Sequence, residues 1–203
     1  HHRCASAVKV GKLRREANPN YTGEEEFNFF LSVLFPEDEL CIMDYNRVLK
    51  DLNGYTKEEL LEKMAQDFGI EEKAEMFKPS KKGEVGFYCD GKWYSMTAKE
   101  HCFSENPVDN LDVSILQNKV LEPLFDIKDP KTDSRIDFVG GIRGLGELKK
   151  RVDSGEMAMA LALYPVSMKQ LIDIADTGNI MPPKTTWFEP KLRSGLIIHK
   201  LND

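Results

Sequence analysis

The chain has 203 residues, of which 41% are hydrophobic and 31% charged, and its formal net charge is -6. This length fits one domain, or one and a half, with a buried core. The acidic balance argues against a general affinity for nucleic acid, and no apolar run approaches the ~18 residues that cross a bilayer. No signal-peptide pattern is found. We therefore expect a cytoplasmic protein that binds neither nucleic acid nor membrane.

The sulfur and imidazole side chains do not indicate a metal centre. The cysteines form no C-x-x-C pair and have no histidine at zinc-ligand spacing, a pattern typical of reduced and mostly buried thiols. We expect neither zinc nor haem, and we interpret the isolated histidines as structural or solvated. These residues are Cys4, Cys41, Cys89, Cys102, His101 and His199.

The first predicted elements are a helix and a hairpin. Small and apolar residues among lysines and arginines indicate a half-buried helix from Cys4 to about Ala17, which the turn-forming tract ANPNYTG ends. The run FNFFLSVLF, residues 27–35, is short and aromatic and predicts a buried strand. The run LCIMDYNRVL, residues 40–49, predicts its antiparallel neighbour.

The middle of the chain carries two local signals. Thr56 followed by Glu59 has the spacing of a capping box, which predicts a helix over 56–68. In GFYCDGKWYSMT, the Asp-Gly pair at 90–91 supplies the positive φ angles of a tight turn between two aromatic runs. A β-hairpin is therefore expected here.

The second half of the chain alternates predicted strands and helices. Pro182 and Pro183 exclude a helix near the end, and the tail from Ser194 predicts a strand. Hairpins combined with helices define the α+β class, with a mixed or largely antiparallel sheet and helices packed on it. The remaining predicted elements are a helix that starts at Asn110 or Asp112 and runs through Val120, strands at 136–141 and 157–165, and helices at 144–156 and 167–178.

The chain opens on His1-His2-Arg3, which is either the remnant of a purification tag or a cationic cluster at a helix start. Cations at that end of a helix lower stability by about 0.3–1 kcal/mol, whereas a docked phosphate or carboxylate would be stabilised there. We therefore predict an anion site. Because the helix has no cap, we expect residues 1–20 to be the terminal helix of a motif continuing from a preceding region. Residues 21–203 would then be a single α+β domain, the C-terminal portion of a longer chain.

A second candidate site is the loop MPPKTTWFEPK. Lys184, Thr185, Thr186 and Lys191 place two cations and two hydroxyl groups on a proline-stiffened loop, which suits oxyanion binding. The alternative is a rigid crossing loop whose aromatic residues pack on the core while the lysines face water.

Three further candidates are weaker. The stretch VGGIRGLGEL runs from a strand through glycines into a helix, and Arg143 would be its phosphate ligand, although the spacing matches no known phosphate loop. Asn46 and Arg47 end a predicted strand, and Asp112 begins a helix. Each could enter a site formed at strand ends, or be an ordinary surface pair or helix cap.

The order of these stretches resembles the bacterial and archaeal DUF1015 family of unknown function. The resemblance rests on the HHR start, the strand ending in NRV, FYCDGKWY, LDVSILQNKVLEPL, and the closing P-x-K-S/T-T-x-F-x-P-K signature. In that family the opening motif reads Asp-Gly-His-His-Arg, so the resemblance implies that HHR is native. It also implies that the Asp, the Gly and a larger N-terminal part precede this chain.

The HHR motif is in turn similar to the helix-start motifs of ParB partition proteins, sulfiredoxin and the free serine kinases, which hold nucleotide phosphates. This similarity implies a phosphate role for His1, His2 and Arg3. Members of the family are often encoded beside serine-biosynthesis genes, which fits phosphoserine-related chemistry.

Two main hypotheses follow from the sequence. The first is an enzyme that binds a nucleotide or phosphorylated metabolite, with ATP, ADP or another nucleotide and Mg²⁺, and transfers a phosphoryl group to or from a small hydroxy or amino acid. Asp112 would be its base or magnesium ligand. The second is a non-catalytic metabolite-binding regulatory module. A dimerisation scaffold, and hence a homodimer, is the third possibility, indicated by FNFFLSVLF.

Overall fold

The computed structural model describes residues 2–201, apart from the side chain of His2. The chain forms two compact units. One comprises the chain up to Leu40 and from Pro190 onward, and the other is Cys41–Glu189. Among the described residues, no helix combines the length and the apolar character needed to span a membrane.

The first unit contains helix α1 (His2–Ala17), which confirms the predicted helix. The predicted strand at 27–35 is wrong. A short 3₁₀ turn, Glu26–Asn28, leads into an irregular segment whose apolar side chains are exposed, Leu34 by 91%. A strand needs a neighbour to satisfy its backbone, and its expected partner pairs elsewhere. The predicted strand from Ser194 is also absent over residues 194–201, where the backbone is irregular and pairs with no strand.

The second unit contains a six-stranded sheet in which every neighbouring pair is antiparallel, so the α+β fold class is confirmed. The strands are β1 (Cys41–Met43), β2 (Tyr45–Leu49), β3 (Phe68–Lys73), β4 (Glu84–Cys89), β5 (Lys92–Ala98), β6 (Ile136–Gly140), β7 (Met159–Leu163) and β8 (Trp187–Glu189). The strand order of the larger sheet is β3-β5-β4-β7-β2-β6. The predicted strand at 40–49 divides in two, and its first part, β1, pairs with β8 in a separate two-stranded sheet.

Local sequence signals set most of these elements. Thr56 and Glu59 form both hydrogen bonds of the predicted capping box. The helix ends at Met64, four residues before the predicted end, and Phe68 instead begins β3, a strand that was not predicted from the sequence. Asp90 and Gly91 turn the β4–β5 hairpin with φ angles of 50° and 73°, as predicted. The helices of this unit are α2 (Lys57–Met64), α3 (Asp112–Leu116), α4 (Glu122–Phe125), α5 (Gly144–Asp153) and α6 (Met168–Asp176), with a π-helical turn, Gln117–Leu121, between α3 and α4.

The sheet is buried on both faces. Along β7, Met159, Leu161 and Leu163 belong to one hydrophobic cluster, and Ala160 and Ala162 to the other. The first cluster includes residues of α2, α3, α4 and α6, and the second includes residues of α5.

The same alternation fixes the direction of a charged residue in β2. Leu49 belongs to the first cluster and Val48 to the second. Arg47 therefore shares the face of Leu49, toward α3, whereas Asn46 shares the face of Val48.

Candidate functional site

A cleft of about 330 Å³ lies in the second unit, between β2, helix α3 with the π-helical turn that follows it, and two proline-containing loops. Its wall combines a buried arginine, two lysines, two aspartates and several uncharged polar side chains. The lining residues are Arg47, Asp109, Val113, Ser114, Gln117, Asn118, Leu121, Lys128, Asp129, Pro130, Lys131, Pro182 and Pro183.

Arg47 is the central feature of this cleft, and only 4% of its surface is exposed. Its Nη2 donates to the carbonyl oxygen of Lys184 at 3.0 Å, and its Nη1 donates to the carbonyl oxygen of Tyr45. The guanidinium also lies 5.5 Å from the centre of the Phe138 ring. Within residues 2–201 no carboxylate forms an ion pair with it.

Burial lowers the pKa of Arg47 to about 9, because the charged form is removed from water. A guanidinium with that pKa is still protonated at neutral pH. The protein therefore keeps a buried positive charge against the cleft without a carboxylate from the described part of the chain. Such a charge is unfavourable unless an anion compensates it.

Besides Arg47, the cleft contains charged and polar groups that could bind other parts of an anionic ligand. Lys128 and Lys131 are exposed at its edge, and Asp109 and Asp129 supply carboxylate oxygens of the type that Mg²⁺ prefers. Gln117 donates from Nε2 to the carbonyl oxygen of Ile127 at 2.6 Å, but its buried Oε1 has no hydrogen-bond partner in the described structure. That oxygen can accept a hydrogen bond from a ligand hydroxyl or amino group.

Gln117 begins the π-helical turn that follows α3. Inserting one residue into a helix in this way redirects the side chains that follow it, and π turns are frequent at functional sites. Asn118 and Leu121 of the same turn also line the cleft.

Two loops with the same tripeptide, Pro-Lys-Thr, border the cleft, at 130–132 and 183–185. In the second loop Lys184 has a φ of 56°, and Thr185, which is 4% exposed, donates to the carbonyl oxygen of Pro182 at 2.6 Å. This turn directs the Lys184 carbonyl toward Arg47. Lys128 and Lys131 were not predicted from the sequence, although the repeated tripeptide is a signal that could have identified their loop.

The structure brings Arg47, Lys184 and Thr185 together, but their roles differ. The Nζ of Lys184 lies 3.3 Å from the Tyr45 hydroxyl and 5.5 Å from the centres of the Tyr45 and Phe138 rings. Thr186 is half-buried in the same loop. The loop therefore contributes the Lys184 carbonyl oxygen to Arg47, while the Lys184 ammonium group is held over aromatic rings.

Asn46 is fully buried on the opposite face of β2. Its Oδ1 accepts from the Leu163 N–H at 2.9 Å, and its Nδ2 donates to Asp44. These contacts join β2 to the backbone of β7 and to the Asp44 carboxylate, and Asn46 is not among the residues that line the cleft.

Asp112 is also buried, but it is not among the residues that line the cleft. Its Oδ1 accepts from the Gly83 N–H at 3.0 Å. Burial raises the pKa of Asp112 to about 6, an effect that this hydrogen bond and Lys82 partly oppose. The carboxyl group can therefore become neutral near physiological pH.

The glycine-rich stretch has a packing explanation. A Cβ on Gly140 would lie 2.5 Å from the Trp187 ring, and a Cβ on Gly141 would overlap the Asp44 carboxylate. Gly144 has a φ of 69°, which favours glycine. Arg143 is exposed and lies 3.7 Å from Glu147, one helical turn away.

The remaining sequence-predicted residues belong to the first unit. The Nη2 of Arg3 donates to the Leu192 carbonyl oxygen at 3.2 Å and to the Ser194 Oγ at 3.1 Å. Lys191 is exposed. His1 and the side chain of His2 lie outside the described residues.

Comparisons with known proteins give one family and several solved structures. The family model described as "Protein of unknown function (DUF1015)" matches residues 1–114. No curated protein matches the sequence.

The solved structures are distant in sequence. Free serine kinase in complex with AMP is 16% identical with a TM-score of 0.45, and the alignment covers 74% of this chain and 54% of that one. A mutant of that kinase in complex with ADP is 14% identical with a TM-score of 0.43, covering 74% and 54%. A conserved hypothetical protein from Pyrococcus furiosus is 15% identical with a TM-score of 0.46, covering 74% and 56%. This chain thus spans about half the length of these structures.

Proposed function

Because this chain belongs to the DUF1015 family, a family of unknown function, we propose from the cleft itself that the protein binds a phosphorylated small metabolite or a nucleotide beside Arg47. The observation that carries this proposal is the buried guanidinium of Arg47, which is protonated at neutral pH and has no carboxylate partner within residues 2–201. A phosphate group would supply the missing negative charge through charge-assisted hydrogen bonds.

The other lining groups support a ligand that carries more than a phosphate. Lys128 and Lys131 would neutralise further phosphate charge at the edge of the cleft, and Gln117 Oε1 would accept from a hydroxyl or amino group. The volume of about 330 Å³ is near the lower end of the range for small-molecule sites, ~300–1,000 Å³, which favours a phosphorylated metabolite over a whole nucleotide.

Calorimetric titration with inorganic phosphate, phosphoserine, ADP and ATP, with and without Mg²⁺, tests this proposal. We expect at least one phosphorylated compound to bind, and the double variant Lys128→Ala/Lys131→Ala to bind it more weakly. Lys150→Ala removes an exposed lysine of α5 outside the cleft and is the matched control. The proposal fails if none of the four compounds binds, or if Lys150→Ala weakens binding as much as the double variant.

Phosphoryl transfer to or from a small hydroxy or amino acid is the catalytic extension of this proposal, with Asp112 as base or Mg²⁺ ligand. The raised pKa of Asp112, about 6, supports proton transfer near neutral pH, whereas its absence from the cleft wall weighs against direct contact with the ligand. A general base contributes about 10²–10⁴-fold to a rate, so Asp112→Asn should lower the transfer rate by that factor at unchanged affinity. An unchanged rate would remove Asp112 from the mechanism.

The anion site proposed at the N-terminal motif is separate from the cleft proposal. Arg3→Ala tests it in the same titrations, and Lys191→Ala tests the residue of the predicted loop site that does not line the cleft. Unchanged affinity in both variants would show that neither Arg3 nor Lys191 contributes to ligand binding, and the cleft would remain as the proposed site.

A further inference from the structure

A second group of side chains with ligand chemistry lies outside the cleft, where β3 begins and β5 ends. These strands are antiparallel, with Phe68 opposite Ala98. Asp67, which precedes β3, therefore lies beside the 3₁₀ turn Glu100–Cys102, which follows β5. The Lys99 N–H donates to the Asp67 carbonyl oxygen at 2.9 Å and fixes this approach.

Three different donor atoms converge at this point. Asp67 Oδ1 lies 2.9 Å from His101 Nε2 and 3.7 Å from Cys102 Sγ, and all three ligand atoms lie within 4.8 Å of one another. Cys102 is buried and His101 is exposed. The group is therefore closed by the core on its sulfur side and open to solvent on its imidazole side.

A carboxylate oxygen, an imidazole nitrogen and a thiolate sulfur together match the ligand preferences of Zn²⁺. With bonds of the usual length, the ligand atoms of a tetrahedral zinc site are ~3.3–3.8 Å apart. We propose that Asp67, His101 and Cys102 bind a divalent transition-metal ion of the zinc class, with a fourth position open to water or to a small ligand.

The charges around Asp67 are consistent with a cation site. The Nζ of Lys119 lies 3.2 Å from Asp67 Oδ1, so a cation already contacts this carboxylate. Although burial opposes it, hydrogen bonds from His101 and Lys119 hold the pKa of Asp67 below its ordinary value. A divalent ion would displace the ammonium group, and Lys119 therefore acts as its competitor.

Metal binding also requires removal of the thiol proton. Burial raises the pKa of Cys102, so the free protein holds this group as a neutral thiol at neutral pH. When the ion binds, the Cys102 S–H bond breaks, the sulfur lone pair forms the bond to the metal, and the proton leaves to solvent. No oxidant or reductant is involved.

Titration with Co²⁺, a spectroscopic substitute for Zn²⁺, tests this inference. We expect a near-ultraviolet sulfur-to-cobalt charge-transfer band that Zn²⁺ abolishes and that Cys102→Ser and His101→Ala both remove. His101 is half exposed, so His101→Ala decides the question even if Cys102→Ser does not fold. Cys4 lies two residues after His2 in the sequence and could bind cobalt with the two N-terminal histidines. Cys4→Ser is therefore the essential control, which should retain the band. No band, or a band that survives His101→Ala, would overturn the proposal.

Lys119→Met sharpens the same test, because the variant removes the competing ammonium group while keeping an apolar side chain of similar length. Relief of its repulsion should raise Co²⁺ affinity by about tenfold. Mg²⁺, which prefers oxygen ligands, should not displace Co²⁺. An affinity that Lys119→Met leaves unchanged would contradict an ion at Asp67 Oδ1.

Discussion

Arg47 and Asp112 are both buried ionisable residues, but they differ in how their charge can be neutralised. Asp112 accepts one backbone hydrogen bond, and burial raises its pKa to about 6, so the carboxyl group can neutralise itself by binding a proton. Arg47 has a pKa of about 9 and cannot lose its charge at neutral pH. A buried acid can obtain its neutralising proton from water, whereas a buried guanidinium needs an anion. This difference supports the proposal that Arg47, and not Asp112, contacts the ligand.

The largest effect is expected from Arg47→Met, which removes the charge and keeps much of the side-chain volume. The phosphate group would lose its main partner, and ligand affinity should fall by about 2–4 kcal/mol, or about 30- to 1,000-fold. Calorimetry of wild type and variant measures this loss. Thermal unfolding in the absence of ligand is the control, since the variant also loses the hydrogen bonds from Arg47 to the Tyr45 and Lys184 carbonyl oxygens and must be shown to remain folded. Undiminished ligand affinity in a folded Arg47→Met variant would contradict the proposal that Arg47 binds the phosphate group.

Asp112→Asn should act on stability and not on binding. The raised pKa means that folded Asp112 holds its proton more tightly than unfolded Asp112. Its contribution is therefore complete below about pH 4 and is lost as the pH rises through about 6. The uncharged amide avoids this loss, so from pH 4 to pH 7 the variant should gain about 1–3 kcal/mol of unfolding free energy relative to wild type.

Denaturant unfolding at several pH values measures the Asp112 effect, and calorimetry of the same variant measures its ligand affinity. A parallel pH dependence in wild type and variant would show that Asp112 does not titrate in this window. A large loss of affinity would show instead that Asp112 contacts the ligand, which would remove the contrast with Arg47.

Single substitutions of the exposed lysines should have smaller effects that depend on salt. Lys128→Ala and Lys131→Ala should each lower ligand affinity by about 0.5–1 kcal/mol at low ionic strength, because exposed charges are well solvated. Raising the ionic strength should reduce this difference, since salt screens exposed charges more strongly than buried ones. Titrations at two salt concentrations measure it. A salt-independent loss would indicate that these lysines are enclosed with the ligand.

The smallest effect is expected from Lys184→Ala. The ammonium group lies over the Tyr45 and Phe138 rings, and it is the Lys184 carbonyl oxygen that contacts Arg47. Alanine keeps that carbonyl, so ligand affinity should change by less than about 0.5 kcal/mol. A loss as large as that of Arg47→Met, measured by the same calorimetry, would mean that the ammonium group leaves the rings and binds the phosphate.

Much of the fold follows from local sequence signals. The capping box at Thr56, the Asp90-Gly91 turn and the apolar run of β7 each specify their own structure, and all three are present as predicted. The strands that were missed or wrongly predicted are those whose formation depends on a neighbouring strand in the sheet. β3 is acidic and has little alternation, and it forms because β5 is available beside it. The apolar run at 27–35 has strand composition but no partner strand in the described structure.

The candidate site could be predicted only in part from the sequence, because it also depends on contacts between residues that are distant in the chain. Arg47, Lys184 and Thr185 could be selected because their residue types suit anion binding. They meet only because the fold places the proline loop beside β2. The lysines at 128 and 131 stand in a polar loop that resembles any solvated turn. The burial of Arg47, which carries the proposal, is a property of the fold and cannot be read from neighbouring residues.

The most direct test of the central claim is an NMR titration that follows the Nε–H signals of the arginine side chains while the best-binding phosphorylated compound is added. We predict a saturable shift of the Arg47 signal, with little change at Arg135, whose guanidinium is already paired with Asp133 at 2.9 Å. An Arg47 signal that stays unchanged while the compound binds would contradict the account.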